Sequence, residues 1–329
     1  MVFPRKASRF LCNLSNVFVN TSMETTRLRF TRFECNRYLR NTRFWIVSAL
    51  LFVVSVGTAT GTILAPLGPA TESVLGPNTV LGAFQSKIFY IGGLAACFVG
   101  YSSISGDKAS GQLRTFLKLP YSRRSLFVQK VVGRSIAVVT VTATAVIAGI
   151  VVTIPVFGIP SLTAIIAFLL ISAFYQTTLV TIATAVSALL PSSRQAMATV
   201  VGLFLFGWLF GQAFAARVAA YISEEPINLL ATEPSPGLTL YLTIERLLPM
   251  DAYFVLTNWV LGVGNAATDV QSVVQELHPN INKVTVVVSE VYDTTPLLLS
   301  EWFSAVLLIV WIGLALLVGI SQFNRSDIK

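Results

Sequence analysis

The most charged internal stretch of the chain is residues 106–134, GDKASGQLRTFLKLPYSRRSLFVQKVVGR, with seven basic residues and one acid. Its glycines first suggest a loop that cradles phosphate, which requires Gly-x-x-x-x-Gly-Lys-Ser/Thr. Gly106 and Gly111 have that spacing, but Gln112 and Leu113 stand where the lysine and the hydroxyl are needed, and no strand-like run precedes them. Other reactive constellations are absent as well: there is no His-Glu-x-x-His and no Gly-x-Ser-x-Gly. Cys12, Cys35 and Cys97 lack the paired spacing of a disulfide framework or zinc site, and His278 is the single histidine. No Asp or Glu falls in the middle of an apolar span, so a proton relay or an intramembrane protease has no residue to use. The sequence predicts no catalytic residue, no metal ligand and no bound cofactor. What residues 106–134 offer is a surface for docking. Leu113, Phe116 and Leu117 are spaced i, i+3 and i+4, which groups them on one face of a short helix. Pro120 ends that helix, and Ser122 caps a second one. Arg114, Lys118, Arg123 and Arg124 flank the apolar face and suit acids on a partner or anionic lipid headgroups. The plainer reading is a basic loop that only obeys the charge asymmetry of membrane topology.

The elements that position this loop read as membrane spans. Of 329 residues, 54% are hydrophobic and 12% charged, where a soluble domain carries about a quarter charged residues. Several stretches of about twenty residues hold no charge, which is the length of a transmembrane helix. Six spans are predicted, at 44–64, 88–105, 135–157, 162–185, 196–216 and 302–320. Residues 65–84 read as a Gly- and Pro-containing loop, and Leu190 to Arg194 as a short connection. The expected organisation is a cytoplasmic region 1–43, spans one to five over 44–216, an extracellular segment 217–300, and a sixth span with a cytoplasmic tail over 301–329. Within 217–300, Lys283 to Val288 alternates like a strand, and 252–263 is apolar enough for the membrane interface. With the amino terminus inside, the inside segments 1–43, 106–134, 186–195 and 321–329 hold 19 of the 23 Lys and Arg. That bias supports both termini in the cytoplasm. The net charge of +8 is accounted for by these span flanks, so nucleic acid is not an expected partner. Arg27, Arg29, Arg32, Arg37, Arg40 and Arg43, interleaved with Leu28, Phe30, Phe33, Tyr38 and Leu39, suit a basic amphipathic helix on the membrane surface. Residues 1–43 are too polar for a signal peptide, and Met23 is an alternative start.

Residues 107–133, from Asp107 through Gly111, Leu117, Pro120, Ser122, Arg123 and Lys130, resemble the signature of type-2 ABC transporter permeases: an acid, a Gly, a hydrophobic run, a Pro–Ser–Arg turn and a Lys before the next span. Gln112 departs from the usual Thr or Ser, and Lys108 from the usual Glu or Arg. The Glu34–Trp45 segment is similar to the family's interfacial elbow helix, and the tail from Gly319 through Phe323, Arg325, Asp327 and Ile328 is similar to haloarchaeal members. The resemblance covers 24–216 and 299–328. It implies an all-α integral membrane protein of six transmembrane helices, with an N-terminal interfacial elbow helix and a cytoplasmic coupling helix. It also implies an ATP-driven exporter in which two permease subunits, identical or different, pair in the lipid membrane. ATP would be bound and hydrolysed by a separate cytoplasmic ATP-binding subunit. On this reading Asp107, Gly111, Leu113, Phe116, Leu117, Pro120, Ser122, Arg123, Arg124 and Lys130 form the coupling site to that subunit. A secondary transporter, or a membrane anchor or receptor with an extracellular binding segment, are the alternatives; no internal repeat of the kind common in secondary transporters is visible.

Overall fold

The computed structural model describes residues 31, 33–37, 42–64, 69–113, 122–229, 233–276 and 286–325, and among these every regular element is helical. Polar groups in lipid must be satisfied within the chain, and a helix does this segment by segment. The elements are α1 (Thr42–Leu64), α2 (Pro69–Leu75), α3 (Thr79–Lys87), a π-helical turn (Ile88–Gly92), α4 (Gly93–Gly100), α5 (Ser105–Ala109), α6 (Arg123–Phe157), α7 (Leu162–Leu189), α8 (Ser193–Ser223), α9 (Pro236–Arg246), α10 (Pro249–Leu261), α11 (Val270–Glu276), α12 (Val288–Val291) and α13 (Glu301–Arg325).

Five helical runs are long and apolar enough to cross a membrane: Thr71–Ala109, α6, α7, α8 and α13. This is a multi-pass, all-α membrane protein. The first expected span falls on α1, whose apolar part, Ser48–Leu64, is shorter than these five. Helix α7 is central and packs against α4, α6, α8, α10 and α13, while α1 lies along α6. The chain reverses where the sequence signals it. Gly158, at φ 81°, closes α6, a conformation that disfavours a side chain. Ser161 then caps α7 by accepting from the Ala164 amide at 3.2 Å, and Ser192 caps α8 by accepting from Gln195 at 3.2 Å. These antiparallel turns gather α5, the start of α6, the α7–α8 turn and the end of α13 at one end of the bundle.

Three expectations are corrected by the structure. Residues 69–84 are largely helical: Pro69 and Pro77 occupy first-turn positions that need no amide donor, and Leu75, Val80, Leu81 and Phe84 bury a common face. The second loop helix and the third span are one continuous helix, α6, of 35 residues. No strand forms at Val286–Val288. Val287 is extended, but the Val288 amide donates to the Asn265 carbonyl at 3.0 Å and its own carbonyl accepts from the Tyr292 amide at 3.0 Å, closing α12. Residues 283–285 lie outside the described residues.

Residues 252–263 are apolar because they are packed within the protein. They lie within α10 and the turn after it, where Ala252, Tyr253 and Val255 are fully buried and α10 packs against α7 and α13. The α9–α10 hairpin turn meets α8 at Gly211, where an added Cβ would lie 2.9 Å from Leu248. It meets α13 where Trp311 Nε1 donates to the Leu247 carbonyl at 2.8 Å. Trp311 lies about 15 Å along the α13 axis from Glu301, at 1.5 Å per residue, so the hairpin turn packs beside the middle of α13.

Candidate functional site

The residues singled out at the basic end converge on a buried cluster of charge. Lys130, on the second turn of α6, places Nζ 2.7 Å from Glu34 Oε1 and 2.5 Å from Asp107 Oδ2. Arg37 reaches the other Asp107 oxygen at 3.0 Å and lies 3.7 Å from Glu34 Oε1. Arg134, one turn beyond Lys130, sets Nε 3.9 Å from Glu34 Oε2 and donates through NH1 to the Val99 carbonyl at 2.5 Å. Glu34, Asp107, Lys130 and Arg134 are all buried, and Arg37 is partly exposed.

Local structure explains the convergence. Lys130 and Arg134 are four residues apart on one helix and so share a face. Gly133 lies between them, and there the helical residues 33–37 cross α6 so closely that a Cβ on Gly133 would lie 2.9 Å from the Thr31 carbonyl oxygen and 3.0 Å from Glu34 Cβ. Asp107 is brought in by α5. The amides of Ile104 and Ser105 both donate to Ser187 Oγ, at 3.0 and 3.1 Å, and Ser105 Oγ donates to Ser193 Oγ at 3.1 Å. Three separate pieces of chain, the 33–37 helix, α5 and α6, therefore meet through ions. Isolated charges could not be held in so apolar a setting. Paired and hydrogen-bonded, they persist, and loss of one partner strands the rest.

Of the coupling residues expected from sequence, Asp107 and Lys130 are the inner members of this cluster. Leu113 is also turned inward. It is fully buried with Ile104, Leu126, Phe127 and Phe323, so its role here is to pin the start of the loop to the bundle. Arg123 is half-buried, and its NH1 donates to the carbonyls of Phe323 and Asn324 at 3.2 and 3.1 Å, capping the end of α13. Gly111 (φ 73°), Ser122 and Arg124 are exposed. Ser122 caps α6 as expected, accepting from the Ser125 amide at 3.2 Å. Phe116, Leu117 and Pro120 lie outside the described residues. Sequence reasoning counted Glu34, Arg37 and Arg134 only as an elbow acid and as topology charges, and so missed their pairing. One signal was available: Asp107 is the single acid in 106–134, and Glu34 the single acid between Arg27 and Arg43. An acid isolated in a basic stretch beside a membrane span has a cation to meet.

Among the described residues no cluster suits a metal ion. The arrangement can act as a mechanical junction, because short ion pairs in a low dielectric respond steeply to displacement. Residues 31–328 match the family model described as "ABC-2 family transporter protein". No curated relative matches the chain.

Proposed function

This chain belongs to the ABC-2 transporter family, and from that premise we propose that it is the membrane-spanning permease subunit of an ATP-driven exporter. It pairs with a second permease subunit and takes its energy from a separate cytoplasmic ATP-binding subunit. The basic end of the bundle faces the cytoplasm together with both termini, and the tail favours a place among haloarchaeal members. Residues 107–124 are the coupling loop. The observation that carries this reading is the buried ion cluster of Glu34, Arg37, Asp107, Lys130 and Arg134. It joins the segment entering the first span, the loop after the second and the start of the third, which are the elements a partner at this end would have to move together.

Within the loop, Leu113 serves the chain's own core, which leaves Phe116 and Leu117 as the apolar residues for the partner. Arg124, exposed, and Lys118 supply the polar rim. Closure of the ATP-binding subunits on nucleotide would bias the spans between two arrangements. The test is co-purification of the ATP-binding subunit with wild type and with Leu117→Asp, at matched membrane levels. Burying an unpaired carboxylate in that contact should abolish recovery of the partner. Equal recovery removes the coupling role from the loop.

A further inference from the structure

Two of the routes between the ion cluster and the α9–α10 hairpin at the other side of the bundle differ in stiffness. The first runs up the second span. There Gln85 is bonded to the hairpin: its Nε2 donates to Thr257 Oγ1 at 2.6 Å and Asn258 Oδ1 at 2.8 Å, and Tyr253 OH donates to its carbonyl at 3.4 Å. Between Gln85 and Asp107, however, the helix is interrupted twice, by the π-helical turn Ile88–Gly92 and by the turn at 101–104. The π turn ends in the Gly92–Gly93 pair, and the Phe89 carbonyl within it accepts an outside donor, Tyr175 OH, at 3.2 Å. π turns and glycine pairs are where helices bend.

The second route is α13. It is a continuous helix of 25 residues without proline, about 37 Å long at 1.5 Å per residue. Its inner end is gripped by Arg123 through the Phe323 and Asn324 carbonyls, and by Phe127, which leaves no room for a side chain at Gly319. Its other half, together with the turn at Leu297–Leu299 that precedes it, holds the hairpin in four places. Trp311 Nε1 bonds Leu247 O, and Leu308 packs on Ala252 and Leu256. Buried Arg246 donates to the Leu299 carbonyl, and Trp259 meets Trp302 edge to face at 5.7 Å. Asn265 reinforces the junction by donating to Leu299 O at 2.8 Å and Glu301 Oε1 at 2.7 Å.

We propose that α13 is the rigid link that carries movement of the coupling loop to the α9–α10 hairpin, with Arg123 as the positioning residue at its driven end. The second span, broken at the π turn, accommodates that movement. This rests on the coupling reading above. A force applied at residues 107–124 displaces Arg123 at the loop's end, and Arg123 is bonded to α13, which reaches the hairpin unbroken. The interrupted second span would absorb the same displacement at Ile88–Gly92.

The experiment is hydrogen–deuterium exchange on the full complex with its ATP-binding subunit, with and without ATP plus vanadate. It follows two peptides, 105–113 and 236–261, in wild type, Arg123→Met, Arg123→Lys and Tyr175→Phe. In wild type both peptides should respond to nucleotide, the hairpin by at least a twofold change in exchange rate. Arg123→Met keeps the chain length but has no donor, so it should lose the hairpin response and keep the loop response. Arg123→Lys can still bond the terminal carbonyls and should retain both. Tyr175→Phe releases the π turn from its donor and should retain both. Loss of the hairpin response in Tyr175→Phe, its survival in Arg123→Met, its loss in Arg123→Lys as well, or a hairpin silent in wild type while the loop responds would each overturn the link and leave the coupling reading standing. A loop that fails to respond in wild type overturns both.

Discussion

Lys130→Met tests the ion cluster at its centre. The substitution preserves the length of the side chain and deletes the fully buried cation that lies nearest both acids, at 2.7 Å to Glu34 and 2.5 Å to Asp107. Removing one member of a buried ion pair typically costs about 3–5 kcal/mol, because the partner is left charged and poorly solvated. Arg37 still reaches Asp107 at 3.0 Å and lies 3.7 Å from Glu34, which puts the expected loss at the lower end, about 3 kcal/mol. That is roughly a hundredfold in the folding equilibrium at 1.4 kcal/mol per decade. The assay is equilibrium unfolding of the chain in mixed micelles by titration with a denaturing detergent. Arg124→Met is the control, since Arg124 is exposed, and it should change stability by no more than about 0.5 kcal/mol. The double variant Lys130→Met, Asp107→Asn removes the stranded charge with the cation. It should be more stable than the sum of the single losses by about 1–3 kcal/mol. A loss below about 1 kcal/mol in Lys130→Met, or strict additivity in the double variant, refutes the reasoning that the cluster is an interdependent junction.

Gly133→Val should push residues 31–37 off α6, since the new Cβ would lie 2.9 Å from a backbone carbonyl oxygen. Limited proteolysis should cut sooner in the first 43 residues, with a stability loss of about 1–3 kcal/mol. Ser192→Ala removes the cap of α8 and should cost about 1 kcal/mol in the same detergent titration. Gln85→Leu strands the Val270 amide, which donates to Gln85 Oε1 at 2.7 Å. It also strips partners from Thr257 and Asn258, so the expected loss is about 1–3 kcal/mol for each group left unpaired, with faster hydrogen exchange at 270–276.

Much of the bundle was legible because lipid imposes simple rules. Uncharged runs of span length, Gly158 and Pro160 between two of them, and Ser192 before a third mark helix bodies and ends whatever the tertiary context. Residues 69–84 misled because Gly and Pro usually interrupt helices, whereas here Pro69 and Pro77 sit at helix starts and the segment buries Leu81 and Phe84. The hairpin was illegible because a helix of 13 residues, α10, carries too little pattern to say what it packs on; the structure sets it against α7 and α13. At the candidate site, sequence picked out Asp107 and Lys130, which share a loop. Their partner Glu34 is 96 residues from Lys130, and no local pattern reports such a meeting. Leu113 shows the same limit from the other side. An apolar face at helical spacing says that a residue will be covered, and the structure says that its own chain covers it.

On the function proposed above, the ATP-binding subunit docks on the loop after the second span. A photo-reactive amino acid placed at position 117 in the intact membrane complex tests it most directly, with the same group at Tyr221, 86% exposed at the far end of α8, as the comparison. Docking at this loop gives a cross-link from position 117 to the ATP-binding subunit and none from position 221. A cross-link from position 221 alone, or from neither position in a complex that still hydrolyses ATP, contradicts it.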